Sequence, residues 1–430
     1  MQNQQQVAVI GGGVMGVCSA YFLAQAGHEV VVIERRGNVA EESSHGNAGL
    51  SGPASVAPWA APGMPRQLWS MLLKSTAPAI LRPSLDPVLW RWLKRWRSEC
   101  ELERFRVNHA RMQRISAYSS ALLCQLEHQH QLDFEQTQGY LQLFRDEKTL
   151  KLAAPALALL ADQGATYRML DADAACQIEP GLVRSTQIGR LAGALQLPQD
   201  GSGNCALFTK QLKLITQAMG VQFRFGSTVA AIETARSGVI LRLREDGIEK
   251  NFNADAVVLA AGVDSALLLQ TLGIRIPLYP VKTYCATVPI KNLDAAPIAV
   301  VMDESYKVAL TRMGNRVRLA GTIELGSKAS VLHANAQRTL RMVGTDWFPD
   351  AANYNHASFW SGALPMLPDG APLLGATPID NLYINLGHGS TGWAMAVGSG
   401  KVLADMVSGQ SPEIDMEGLG LSRYAAAFGA

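Results

Sequence analysis

Gly11-Gly12-Gly13-Val14-Met15-Gly16 follows the apolar run Val7 to Ile10 and opens a segment with helical apolar spacing through Val14, Val17, Tyr21 and Ala24. A second apolar run, Val30 to Ile33, comes next. The pattern is therefore G-x-G-x-x-G at a strand-to-helix junction, the context that gives it meaning. Gly11 permits a tight turn, Gly13 lets backbone approach a pyrophosphate, and Gly16 lets helix and strand pack closely. The helix N-terminus turns N–H groups and positive dipole toward the phosphates. Glu34 ends the second strand, where a carboxylate accepts hydrogen bonds from a ribose.

A chain of 430 residues can bury one or two sizeable cores. With 48% apolar and only 17% charged residues, it is expected to be globular rather than disordered. Its 38 basic residues balance 36 acidic ones, which excludes the strong positive field of a nucleic-acid binder. The six cysteines are scattered without a C-x-x-C pair, and His128 and His130 do not share a helix face, so no metal site is expected. The polar start lacks a secretory pattern and no window reaches 18 uninterrupted apolar residues, so the expected location is cytoplasmic.

Residues 37–66, rich in Gly, Pro, Ser and Ala, read as a long loop tract that contacts something. Leu68 to Glu135 reads as helical and aromatic, an inserted cap. Strands are expected at Tyr140–Phe144, Val221–Phe225, Val239–Arg244 and Ala256–Ala261, and helices at Leu150–Gly164 and Ala206–Met219. Tyr279 to Gly321 is strand-like, with Val281, Ala286, Val308, Leu310, Val317 and Leu319 as inward positions. The last hundred residues read as Gly-rich turns before one final helix, Trp393–Val407.

The fingerprint by itself fits NAD or FAD. Arg35 and Arg36 suit a 2'-phosphate, but Glu34 beside them would repel one. Glu42-Ser43-Ser44-His45-Gly46-Asn47-Ala48-Gly49 offers hydroxyls, an amide and bare backbone along the path of a longer ligand, which favours FAD. Across nearly its whole length the sequence resembles the FAD-dependent D-amino-acid dehydrogenase (small subunit) family, within the D-amino-acid oxidase and glycine oxidase group. The resemblance rests on Gly11 to Gly16 with Glu34, on Asn47-Ala48-Gly49, on Pro58 to Gly63, and on Leu195 to Gly201. It extends to Tyr279-Pro280-Val281-Lys282, to Pro365-Met366 with Pro368-Asp369-Gly370, and to Gly387-His388-Gly389 with Gly392-Trp393.

The resemblance implies an α/β fold: a Rossmann-like FAD-binding domain of the glutathione-reductase type with a discontinuous α+β substrate (cap) domain. The corresponding boundaries are 1–90, 196–275 and 355–430 for the FAD-binding domain, and 91–195 and 276–354 for the cap. It also implies that Gly11, Gly13, Val14, Met15 and Gly16 meet the pyrophosphate, with Glu34 and Arg35 near the adenosine ribose. Val229 would meet adenine, and Ala261-Gly262 would close over the cofactor. Ser43, Ser44, His45, Asn47, Ala48 and Gly49 would lie along the ribityl chain and isoalloxazine, with Gly362 and Leu364 beside them. Gly389, Ser390, Thr391 and Gly392 would face the flavin's pyrimidine edge with the N–H groups of the last helix. His45 is also a candidate for covalent flavin attachment, against the simpler reading of a polar loop histidine.

The implied chemistry is hydride transfer from a substrate α-carbon to flavin N5, with the imine hydrolysed to a 2-oxo acid and the electrons passed to a quinone, the respiratory chain or O2. One position departs from the pattern. Where relatives carry G-x-R-P, with arginine as the carboxylate anchor, this chain reads Gly362-Ala363-Leu364-Pro365. Ordinary D-amino acids are then expected to bind weakly unless another cation substitutes. Tyr306, Arg312, Lys282 and Arg66 are the candidates for the substrate pocket. The departure keeps two alternatives open: an enzyme of secondary, cyclic or carboxylate-modified amines, and a non-catalytic flavoprotein subunit. Finally, Leu89 to Arg97 mixes Trp90, Trp92 and Trp96 with four cations, which suits peripheral membrane contact as well as simple packing onto the core.

Overall fold

The strand Gln6–Ile10 is buried on both faces, so its residues alternate between two cores rather than between core and water. The computed structural model describes residues 4–71, 76–82, 84–162, 164–235, 238–327 and 331–427. Val7 and Val9 join a core shared by the helices Val14–Gln25, Cys205–Ala218 and Gly392–Val407. Ala8 and Ile10 face the other way, toward Ile232, Leu241 and Leu243 of a three-stranded antiparallel meander. Between these layers the strand pairs in parallel with Glu29–Ile33 on one side and Ala256–Leu259 on the other. Gln222–Arg224, Leu382–Leu386 and Leu373–Ala376 complete a six-stranded sheet among the described residues.

The second half of the molecule is a larger, mostly antiparallel sheet. Its central strands run Ser358–Met366, Tyr279–Pro289, Arg316–Leu325, Val308–Met313 and Val300–Asp303, then Thr137–Phe144 and Gly193–Ser202. Because side chains alternate along each strand, the sheet has two distinct faces. Tyr284, Ala286, Leu310, Val317 and Leu319 pack on the helix Ala334–Trp347. The opposite face carries Leu364, Val281, Arg318 and Thr311, and it meets the first half of the chain through the loop 45–48.

Three expectations change. The helix Leu102–His130, read as part of an inserted cap, buries Met112, Ile115 and Leu126 in the core of the helical layer around Gln6–Ile10. Its small residues allow this: a Cβ on Gly398 of the last helix would lie 2.9 Å from Ser119 N, so the two backbones nearly touch. The strand Ser358–Met366, assigned by sequence to the cofactor domain, hydrogen-bonds along Tyr279–Pro289 of the larger sheet. The segment expected as Gly-rich turn holds the helix Ala334–Trp347, whose Ala336, Leu340, Val343 and Trp347 recur at helical spacing and face the core.

The tryptophan segment also divides. Helix Pro87–Glu99 turns Trp92 and Trp96 into a core with Tyr279, Val281 and Met366, and leaves only Trp90 of the three half-exposed. Trp59 stacks on Trp92 and lies tilted against Trp96, with centroids 5.9 and 4.8 Å away. No helix among the described residues is long and apolar enough to cross a membrane.

Candidate active site

The opening glycines work by absence. Gly11 has a φ of +108°, and a Cβ there would lie 2.5 Å from Ala260 O. A Cβ on Gly16 would lie 1.9 Å from Gly11 O, so helix Val14–Gln25 can sit this close to its strand only because position 16 is bare. The helix start is anchored by Ser44, whose hydroxyl accepts from Val14 N–H at 3.1 Å. The loop tract thereby closes over the helix N-terminus, whose remaining first-turn N–H groups have no intrahelical acceptor.

Glu34 stands at the tip of the second strand. Its Oε2 accepts from Gly12 N–H at 2.6 Å and its Oε1 from Arg36 N–H at 2.7 Å, which holds the carboxylate beside the glycine turn. Arg35 bridges Glu42 and Asp264, each at 2.6 Å, and Arg36 also donates to Glu42. Burial would raise the Glu42 pKa, but the two guanidiniums outweigh it and the carboxyl sits below its usual range. Both arginines are thus engaged by carboxylates.

From this end a cleft of about 1140 Å³, solvent at its mouth included, runs to the larger sheet. Glu34, Thr228 and Val229 line one end, Gly11, Gly13, Val14, Met15, Ser43, Ser44 and Asn47 the middle, with Ala261 and Gly262 opposite. The far end is lined by Leu364, Pro365, His388, Gly389 and Gly392. His388 is enclosed: burial depresses its pKa to about 3, and Nε2 lies 3.0 Å from Ser399 Oγ, so the imidazole is neutral. These features fit FAD: a side-chain-free pyrophosphate cradle, a carboxylate at the ribose end, and a helix N-terminus at the far end.

Residues 6–406 match the model of the family described as FAD dependent oxidoreductase. The chain belongs to that family. It is 43% identical over 425 residues to a D-amino acid dehydrogenase of Bradyrhizobium diazoefficiens, covering 99% of this chain and 100% of that one. It is 42% identical over 422 residues to the D-amino acid dehydrogenase of Neisseria meningitidis serogroup A, with 98% and 100% covered. Among solved structures, glycine oxidase from Geobacillus kaustophilus superposes with a TM-score of 0.75 at 23% identity, covering 98% of this chain and 99% of the other. That likeness carries the fold. The chain is an FAD-dependent oxidoreductase, and the family's cofactor is the one its cleft fits.

The remaining sequence candidates lie around the cleft rather than on its walls. Gly49 backs onto Gly203 O and Met313, while Gly362 lies under the ring of Trp360. His45 turns its ring toward Trp360, 6.1 Å between centroids, and burial lowers its pKa. Gly16, Ala48, Ser390 and Thr391 adjoin lining residues without lining the cleft. None of the four substitute groups lines it either. Lys282 is buried on the opposite sheet face, 3.5 Å from Glu324. Arg312 points to that face too, toward Glu179, and Arg66 is exposed. Tyr306 sits under the Arg145 guanidinium at 4.9 Å. Cys205, Asp264, Asn385 and His388 line the cleft and escaped sequence reasoning, as did Arg318 behind it. Only His388 had a signal, its place in Gly-His-Gly.

Proposed function

We propose that this protein oxidises the Cα–N bond of a D-amino acid, removing two electrons and two protons to leave an imine, which water hydrolyses to a 2-oxo acid and ammonia. Bound FAD would supply the two-electron sink, with a quinone or another respiratory acceptor as the final destination of the electrons. Gly11, Gly13 and Ser44 hold the pyrophosphate end, Glu34 the ribose, and the sheet face carrying Leu364 walls the substrate side. The observation that carries the reading is identity of about 42% over essentially the whole chain to relatives named D-amino acid dehydrogenase.

The test is anaerobic loss of flavin absorbance with D-alanine, D-proline, L-alanine, sarcosine and simple amines. Bleaching by the D-amino acids and not by their L-forms is expected. Bleaching by sarcosine or amines alone would overturn it and turn attention to Leu364. Under air, dye reduction without stoichiometric hydrogen peroxide is expected of a dehydrogenase. We further infer a cytoplasmic protein that touches the inner face of the cell membrane through Trp90. Exposed Leu85 and Val88 and the cations Arg91, Lys94 and Arg95 beside it support this. Flotation with anionic liposomes that survives Trp90→Ala unchanged would remove that surface.

A further inference from the structure

His388 is a neutral ring with one nitrogen already engaged. It is 3% exposed and lines the far end of the cleft, just ahead of the last helix. Gly387 and Gly389 flank it with φ of +82° and +59°, and its backbone bridges Met366 at the end of the strand that carries Leu364. From this turn the ring reaches inward along the helix. Nε2 lies 3.0 Å from the hydroxyl of Ser399, about two turns in from the helix start.

A neutral imidazole has one N–H donor and one bare acceptor nitrogen, and the partner of one nitrogen decides the role of the other. Ser399 is fully buried, and its hydroxyl has no other hydrogen-bond partner among the described residues. If Nε2 were the donor, the hydroxyl's own hydrogen would be buried without an acceptor. The satisfied arrangement is the reverse: Ser399 donates to Nε2, and Nδ1 carries the ring proton. Nδ1–H then has no acceptor among the described residues. It belongs to the Cγ end of the ring, the end beside Gly392. A Cβ on Gly392 would lie 3.0 Å from His388 Cβ and 3.1 Å from Met15 Cε, and both Gly392 and Met15 line the cleft. Two other buried groups of the cleft wall, Trp393 Nε1–H and Asn385 Oδ1, also lack partners among the described residues. Unpaired polar groups gathered on one wall mark the place of a polar ligand.

We propose that His388 donates a hydrogen bond from Nδ1 to the ring system of the bound flavin, and that Ser399 is the positioning residue that fixes the donating tautomer. The proposal concerns the cofactor and stands whether or not the substrate is a D-amino acid. The bond strengthens when the flavin ring gains electrons, because a hydrogen bond to a charged group is about twice as strong as one between neutral groups. The donor therefore holds reduced FAD more tightly than oxidised FAD and raises the two-electron potential. Being neutral, it does so without burying a charge beside the cofactor.

The test measures the two-electron potential of the FAD-loaded protein by equilibration with redox dyes, and the Kd of oxidised FAD by fluorescence quenching. His388→Gln places its amide near the Nε2 position and leaves the Nδ1 position bare. It should lower the ratio of reduced to oxidised affinity about tenfold, a fall of about 30 mV for a two-electron couple. His388→Asn returns an N–H near the Nδ1 position and should stay within threefold of the wild type. Ser399→Ala lets the ring take either tautomer and should lower the ratio about threefold, but should change nothing further in the His388→Gln background. That comparison separates positioning from general damage to the helix. An unchanged potential in His388→Gln, an equal loss of both FAD forms, Asn no better than Gln, or a Ser399→Ala effect that persists without the imidazole would each overturn the proposal. If the variants do not hold FAD, ring-nitrogen NMR shifts of isotope-labelled histidine in the wild-type holoprotein decide. A protonated Nδ1 at His388 is expected, and a protonated Nε2 would refute the assignment.

Discussion

Replacing Gly16 with alanine tests whether the cradle depends on how closely the first helix approaches its strand. The new Cβ would start 1.9 Å from Gly11 O and 3.4 Å from Val9 Cγ1. A relaxed carbon–oxygen contact is about 3.3 Å, so helix and turn must separate by about 1.4 Å. Overpacking of this kind costs about 1–3 kcal/mol, and an ångström of misplacement at a site can cost about 10²-fold. Gly16→Ala should therefore lower the Tm by several degrees and weaken FAD at least tenfold, measured by quenching of FAD fluorescence on titration into apoprotein. Gly12→Ala is the control. Its Cβ would meet the Glu34 side chain, at 3.0 Å, a milder clash than one with backbone at 1.9 Å, so a smaller loss is expected. If Gly16→Ala binds FAD within threefold of the wild type, or if Gly12→Ala is the more damaging change, the close-approach argument is wrong.

Glu179 is fully buried, with its carboxylate accepting from Ile298 and Ala299 N–H, and burial raises its pKa from 4.5 to about 7. A raised carboxyl pKa favours the folded state while the group is protonated. Its stabilisation is thus complete below about pH 4.5 and lost as pH rises through 7, about 3 kcal/mol in all. Urea unfolding between pH 5 and 8 should show this decline in the wild type and a flatter profile in Glu179→Gln; parallel profiles would refute it. In the tryptophan segment, Trp92→Ala removes a buried ring that donates to Met366 O at 3.1 Å, and should cost about 3–5 kcal/mol. Trp90→Ala, at a half-exposed position, should change unfolding stability by less than about 0.5 kcal/mol. Equal losses at the two positions would contradict the division of this helix into a buried and an exposed side.

The cofactor end of the site was legible because it is local. Residues 7–34 hold strand, turn, helix and strand in one contiguous stretch, and the glycines act on neighbours a few residues away. The loop 43–49 was legible for the same reason, since its bare backbone and hydroxyls advertise a ligand wall wherever the loop runs. Less was readable where packing decided. Nothing in Leu102–His130 announces which core its apolar face joins. The three cations and the tyrosine offered in place of the missing arginine follow from residue type alone, and none lines the cleft.

What the amino-acid order alone determined is a dinucleotide cradle and, through its motifs, the flavoenzyme family. Which charges reach the cleft was decided only by the folded sheet. Along a strand adjacent residues face opposite ways, and one residue of slip reverses every side chain. Alternation along Tyr279–Pro289 puts Lys282 on the face of Tyr284 and Ala286, the pairing of Arg312 with Val317 puts it on that same face, and the pairing of Arg318 with Thr311 brings Arg318 toward the cofactor loop. Composition and spacing carry no trace of that register, because it is set by hydrogen bonds between strands distant in the chain.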